Sequence, residues 1–370
     1  MKRILFLIHD LGHGGAEKVL VNLVNNMDAE QFDITVLALF GGGVNRQFLK
    51  PHIHCRTVFP KAFPGNSHAM KLFSPRVLHK WFIREKYDIE VAYLEGPCAR
   101  IISGCPDPDV KKVAWIHSTM ASEKQAARSF RNRGEACACY GNMDKLVFVS
   151  QGVRDAFLRG CPVCGETAVL YNTNESARIR ELAAEAAEPG LLLPDEIRLV
   201  GVGKLVRSKG FHRLIPMVKR LRDDGLPAHL YLLGTGPKKA ELEELALRLG
   251  VEKAVTFLGY QTNPYKYVAK CDLFVCASFA EGFSTAATEA LIAGTPVCTV
   301  DVSGMKEMLG NDNEWGVVTE NEDEALYLGL KHLLQDPVRL ARYKEKAAIR
   351  GKTFSTEYTV KAVEQMLLCL

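Results

Sequence analysis

Short apolar runs alternate with stretches of helical periodicity along almost the whole chain, and no other feature restricts its fold as strongly. The pattern predicts strands at Arg3–Ile8, Phe32–Leu39, Ile53–Val58, Ile89–Leu94, Val113–Ile116, Lys145–Val149 and Thr167–Leu170. Between them it predicts helices near Ala16–Met27, Pro75–Lys86 and Ser122–Cys139. Strands separated by helices need crossover connections, which give a parallel sheet covered on both faces. The alternation breaks between Asn172 and Glu196, where an Ala/Glu-rich helical stretch precedes Pro189-Gly190 and Pro194 and the segment reads as an interdomain connection. It then restarts, with strands at Ile197–Val202, Ala228–Leu233, Val255–Leu258, Leu273–Cys276 and Pro296–Thr299. The matching helices are Phe211–Arg222, Pro237–Leu249, Ser284–Ala293, Glu322–Gln335, Pro337–Arg350 and Thr356–Leu370.

The expectation is an α/β protein of two tandem doubly wound, Rossmann-like domains facing each other across a cleft. Residues 1–172 would form the first, 173–196 a linker and 197–353 the second, with the helix over 354–370 packing back onto the first. At 370 residues the chain has length for two cores, and 47% hydrophobic residues supply the apolar material. The net charge of +4 leaves no general surplus for nucleic acid. No apolar run approaches the length of a membrane span. The opening MKRILFLIHDL meets His9 and Asp10 too early for a signal peptide. With eleven scattered cysteines and no export signal, the expectation is free thiols in a reducing cytoplasm. Cys161-Pro-Val-Cys164 looks like half a zinc knuckle, with Cys137 and Cys139 upstream. A structural zinc needs four converging ligands, and two residues that close on one helix point in different directions.

In such folds ligands sit outside the carboxyl ends of the strands, so the loops there are the candidate site. Ser278-Phe-Ala-Glu281-Gly282-Phe283-Ser284 follows one strand and opens a helix that carries Glu289. A helix start offers unpaired N–H groups and the positive end of a dipole, which suit a phosphate. The plainer alternative makes Ser284 only a helix cap and Glu289 a solvated helix residue. Gly201-Val202-Gly203-Lys204-Leu205-Val206-Arg207-Ser208-Lys209-Gly210 leaves the first strand of the second half with three cations in quick succession. Lys204 and Lys209 would suit a diphosphate, although a basic surface turn explains the same letters. Gly234 and Gly236 mark the end of the next strand. In the first half, Gly12-His13-Gly14-Gly15 allows close backbone approach to a ligand, and His117 ends the strand Val113–Ile116. No acidic residue closes Phe32–Leu39, which argues against a dinucleotide.

Taken in order, these elements resemble the retaining glycosyltransferases of family 4, which have the two-domain GT-B fold. Gly14-Gly15-Ala16-Glu17 is similar to the family's GGAE loop, and His117 to its strand-end histidine. Val149-Ser150 and Leu170-Tyr171-Asn172 resemble its "VS" and "IPN" segments. Gly203-Lys204-Leu205 through Lys209-Gly210 resembles its GRL…KG, and Glu281 to Glu289 its paired-glutamate signature. Ser303-Gly304 and Glu307 resemble the GG…E that follows.

The resemblance implies a metal-independent retaining hexosyltransferase that uses a nucleotide-diphosphate sugar and needs no cofactor; UDP is favoured over GDP, but the sequence identifies neither the nucleotide nor the sugar. Glu281 would contact the donor sugar, Glu289 the ribose, and Lys204 and Lys209 the diphosphate. Gly203, Gly234, Gly236, Gly282, Phe283, Ser284 and Thr285 would line the donor. His117 would reach the donor sugar, and Gly14, Gly15 and Glu17 would border the acceptor and diphosphate. Lys204 stands where the family has Arg, Ser303 replaces its first Gly, and Ser284-Thr285-Ala286 lacks the proline often found there. A sugar-nucleotide epimerase and a non-catalytic partner subunit share the fold and are the alternatives.

The acceptor is expected to be a glycan or lipid-linked saccharide of a bacterial surface polysaccharide. Lys61–Lys86 mixes Lys71, Arg76, Lys80, Arg84 and Lys86 with Phe63, Phe73, Trp81 and Phe82. Lys124, Arg128, Arg131 and Arg133 surround Phe130. Such letters suit peripheral contact with an anionic inner membrane face, and equally ordinary core aromatics beneath solvated charges.

Overall fold

The computed structural model describes residues 1–12, 14–120 and 122–370, so His13 of the glycine-rich turn lies outside the described residues. It divides into two compact units, Met1–Asn174 with Thr356–Leu370, and Glu175–Ser355.

The first unit is built on seven parallel strands: β1 (Lys2–Ile8), β2 (Phe32–Phe40), β3 (His54–Phe59), β4 (Ile89–Ala92), β5 (Lys111–Ile116), β6 (Lys145–Phe148) and β7 (Glu166–Val169). Their spatial order is β3-β2-β1-β4-β5-β6-β7, so the winding reverses between β1 and β4. β1 is buried from Ile4 to Ile8 and β4 throughout, as expected of central strands covered on both faces. The terminal helix Thr356–Leu368 belongs to this unit, where Glu364 accepts from the Asp28 N–H at 2.7 Å and Lys2 donates to the Leu367 carbonyl at 3.1 Å.

The second unit holds six parallel strands: β8 (Ile197–Val202), β9 (Ala228–Leu233), β10 (Val255–Gly259), β11 (Leu273–Cys276), β12 (Val297–Val300) and β13 (Val317–Thr319). The order is β10-β9-β8-β11-β12-β13, with the reversal between β8 and β11. The helix Phe211–Asp223 covers one face through Leu214, Ile215, Val218 and Leu221, which join Leu199, Leu230 and Leu232 in the core. Among the described residues no helix is long and apolar enough to cross a membrane.

Several boundaries differ from the expected ones for local reasons. The helix expected over Ser122–Cys139 is two, Glu123–Ala126 and Arg133–Gly141. Asn132 starts the second, its side chain accepting from the Glu135 N–H at 2.9 Å, a cap that cannot sit inside a continuous helix. The helix from Pro75 ends at Phe82, because Ile83 is extended. The helical stretch expected within 173–196 is the helix Ser176–Ala184, which buries Ile179 within the second unit. Pattern reading also passed over the short β13 and the helices Asn66–Lys71, Pro97–Ile102 and Gln151–Gly160.

One buried ionic group ties the first unit together. His79, on the inner face of Pro75–Phe82, places Nε2 2.8 Å from Glu90 Oε2, and Glu90 on β4 is only 2% exposed. Burial alone would lower the imidazole pKa, but hydrogen bonds to Cys105 and Glu90 push it up to about 9. The folded value exceeds the ordinary value near 6.5, so this stabilisation is complete below pH 6.5 and is lost as pH rises through 9. The shift corresponds to about 3 kcal/mol. Thermal melts should therefore show stability falling between pH 6.5 and 9.5, with a flatter profile in His79→Gln; parallel profiles would refute the ion pair's role.

Candidate active site

In the second unit, the loops after β8 and β11 leave the sheet on either side of its topological reversal, where open α/β sheets bind ligands. The β8 loop contains a short 3₁₀ turn, Arg207–Lys209, ended by Gly210 in the left-handed conformation at φ +69°. Gly210 is needed twice over. Its φ is costly for other residues, and a Cβ there would overlap the Ala277 carbonyl oxygen of the β11 loop. The loops are stitched together at this contact. The Phe279 N–H donates to the Ser208 carbonyl at 2.9 Å, and buried Arg213 donates to the Ala277 carbonyl at 2.9 Å.

That stitching brings Lys209 to Glu281. Lys209 Nζ donates to Glu281 Oε1 at 2.6 Å, and Ser278 Oγ donates to the same oxygen at 2.6 Å. The Glu281 side chain is 11% exposed and that of Lys209 32%, so the pair is part-shielded and still reachable. Lys204, on the same β8 loop, is exposed and, among the described residues, has no ion pair. The next loop closes in from β9. Gly234 has φ +136°, a Cβ on it would overlap the Gly203 carbonyl oxygen, and a Cβ on Gly236 would overlap the Leu205 backbone.

Beyond Glu281, Gly282 and Phe283 turn the chain into the helix Thr285–Ile292. Phe283 is buried, its ring 5.7 Å from that of Phe354, and Gly304 packs against it from the β12 loop. Ser284 caps the helix, accepting from the Ala287 N–H at 3.4 Å. Glu289 is not a solvated helix residue. It is 8% exposed, and Tyr265 donates to its Oε1 at 3.1 Å. Lys204, Lys209, Glu281 and the helix start thus share one end of one sheet.

The first unit has its own cluster at the ends of β1, β4 and β5. His117 follows β5, and its N–H donates to Glu95 Oε2 at 2.9 Å. Its ring lies 4.8 Å from Tyr93 and 6.2 Å from Trp115. Burial drives the His117 pKa down to about 3 against a weaker opposing bond to the Tyr93 backbone, so the imidazole is neutral. The buried Nε2 has no partner among the described residues. Gly14 and Gly15 open the helix Gly15–Asn26, and the Glu17 carboxylate folds back over Gly14. Burial is the main cause that raises the Glu17 pKa. Asp10 braces the preceding turn by accepting from the Gly12 N–H at 2.7 Å.

Sequence reasoning gave no site role to Ser278, Tyr265, Arg213, Glu95 or Asp10. Ser278, Glu95 and Asp10 follow strands closely and could have been found by that position. Tyr265 and Arg213 carry no local signal, because tertiary packing alone brings them in. Among the cysteines, Cys137 and Cys161 approach to 3.2 Å between sulfurs, while Cys164 is exposed and joins no metal-type cluster among the described residues.

Residues 13–173 match the family model described as Glycosyltransferase Family 4, and 185–350 match Glycosyl transferases group 1. The chain is 31% identical over 358 residues to the lipopolysaccharide core biosynthesis glycosyltransferase LpsE of Rhizobium meliloti, covering 96% of each chain. It is 29% identical over 371 residues to a Campylobacter jejuni protein, again covering 96% of each. That relative is N-acetylgalactosamine-N,N'-diacetylbacillosaminyl-diphospho-undecaprenol 4-alpha-N-acetylgalactosaminyltransferase. Among solved structures it resembles Anabaena Alr3699/HepE in complex with UDP-glucose, with TM-score 0.77 and 19% identity over the whole of both chains.

Proposed function

The chain belongs to the glycosyltransferases of group 1 and family 4, with the GT-B fold, and from that premise we propose a retaining hexosyl transfer from a UDP-sugar to a lipid-linked saccharide or glycan acceptor in bacterial surface-polysaccharide assembly. The observation that carries this reading is the Lys209–Glu281 pair at the sheet reversal, on loops that also carry Lys204 and lead into Thr285–Ile292. Cleaving a sugar–diphosphate bond develops negative charge on the leaving phosphate, and preorganised cations and N–H groups stabilise it without reorganisation. Lys204 and Lys209 would take this role without a metal. Held by Lys209 and Ser278, Glu281 would accept hydrogen bonds from donor sugar hydroxyls. Glu289, oriented by Tyr265, would hold the ribose. His117, neutral with Nε2 open, would accept a sugar hydroxyl, and Gly14, Gly15 and Glu17 would border the acceptor and diphosphate.

In front-face transfer the acceptor oxygen bonds the anomeric carbon as the bond to the phosphate oxygen breaks. The acceptor proton passes to that leaving oxygen. The UDP-glucose complex of HepE and the acceptor named for the Campylobacter relative support the donor and acceptor classes.

The test incubates the full chain with UDP-hexoses and, separately, GDP-mannose, with and without a polyprenyl-diphosphate-linked saccharide. The expected result is acceptor-dependent UDP release, a product with the donor's anomeric configuration, and turnover that survives EDTA. Donor isomerisation without an acceptor, or no turnover with any donor, would overturn the proposal.

A further inference from the structure

Two cysteines of the first unit meet across two helices. Cys137 Sγ lies 3.2 Å from Cys161 Sγ, although the residues are 24 positions apart in the chain. Both are free thiols. Cys137 is partly exposed on the helix Arg133–Gly141, whereas Cys161 is 1% exposed and caps the end of the helix Gln151–Gly160.

The packing of these helices holds the sulfurs in place. Tyr140 stands three residues after Cys137, on the same helix face, and meets Phe157 edge-on at 4.9 Å. Phe157 lies one turn before Cys161, whose N–H donates to the Phe157 carbonyl at 2.7 Å. Both rings are buried, so the helices cannot slide apart without wetting them. The end of the second helix is seated as well, since a Cβ on Gly160 would come within 3.0 Å of the Ser122 backbone. The sulfur contact is thus a fixed part of a rigid seam.

The two thiols differ in what they can do. Burial, reinforced by the neighbouring Cys137 sulfur, pushes the Cys161 pKa up to about 12, so this thiol stays protonated. The thiolate is the form that attacks an oxidant, and only Cys137 meets solvent. Cys137 is therefore the sulfur that reacts first, and Cys161 is the one already in contact with its product. A disulfide holds its sulfurs about 2.05 Å apart, so this pair must close by about 1.2 Å.

We propose that Cys137 and Cys161 are a reversible oxidative modification site that closes to a disulfide on exposure to hydrogen peroxide. The Cys137 thiolate attacks the peroxide O–O bond and becomes a sulfenic acid, and the departing hydroxide regains the thiol's proton as water. The Cys161 sulfur then displaces the sulfenic hydroxyl, which leaves as a second water with the Cys161 proton. Two thiols lose two electrons and one peroxide gains them. Exchange with a dithiol reductant restores the pair. Capture by a sulfur already in place keeps Cys137 from the irreversible sulfinic acid. The cross-link also pins the helix whose Tyr140 hydroxyl accepts from the Gly96 N–H at 3.1 Å, next to Glu95. The site stands on its own observations and does not depend on the reaction proposed above.

Reduced full-length protein treated with one equivalent of hydrogen peroxide should lose two of its eleven thiols and about 2 Da of mass. A non-reducing peptide map should join Cys137 to Cys161, and dithiothreitol should restore both thiols. The melting temperature should rise by about 5 °C on linking and fall back on reduction. Cys137→Ser should melt like the reduced wild type and form no link. Cys164→Ser should link as the wild type does, because exposed Cys164 takes no part. Cys161→Ser should instead carry Cys137 on to the sulfinic acid. In urea, where the fold no longer holds the sulfurs together, linking should slow at least roughly tenfold. No thiol loss, a link from Cys161 to Cys164, or equally fast linking in urea overturns the proposal. Sulfinic acid at Cys137 of the folded wild type without a link overturns it too.

Discussion

Glu281→Gln should lower sugar transfer by about 10²–10⁴-fold while the melting temperature moves by no more than a few degrees. Glutamine keeps the shape of the side chain and removes its charge. It also replaces one of the two carboxylate oxygens with a donor, so one partner among Lys209, Ser278 and the sugar loses its acceptor. Fold stability changes little because the partnering Lys209 side chain is 32% exposed and can turn to water. Lys209→Ala should lower turnover comparably by removing a cation from the leaving diphosphate. The two residues share a hydrogen bond, so the double variant should lose clearly less than the product of the single losses. Acceptor-dependent nucleotide release, measured alongside thermal melts, checks this. Near-normal turnover in either well-folded single variant would contradict the assignment.

The parts of this site legible in the sequence were those carried by local pattern. Short apolar runs and the breaks between them located β8 and β11, and with them the loops holding Lys209 and Glu281. What stayed illegible depended on burial and on neighbours distant in the chain. A glutamate four residues into a helix reads as surface, and only packing against Tyr265 makes Glu289 a buried, oriented group. His117 could be placed at a strand end, but its neutral state comes from burial among Tyr93 and Trp115, which spacing does not reveal. The same limit blurred the aromatic stretches. Phe130 and Trp81 look alike as letters, yet one fills the core and the other stands in water. Asn132 was a local signal that helical periodicity on both sides concealed.

The loop contact behind the Lys209–Glu281 pair makes a second large effect testable at a residue with no side chain. Gly210→Ala should cost about 2–4 kcal/mol, of which roughly 1–2 kcal/mol is the left-handed backbone at φ +69°. The remainder comes from the new methyl, which would overlap the Ala277 carbonyl oxygen and push the β11 loop away. That oxygen accepts from Arg213 at 2.9 Å, so displacing it also leaves part of a buried guanidinium without its partner. The loop carrying Glu281 then recedes from Lys209, and turnover should fall at least about 10²-fold even in the folded fraction. Gly225→Ala is the matched control, because Gly225 has φ +82° and no atom within 4 Å of a Cβ placed there. It bears the backbone cost alone, so it should melt closer to wild type and keep its turnover. If the two variants lose the same stability and both transfer sugar normally, the glycine contact does not assemble the pair.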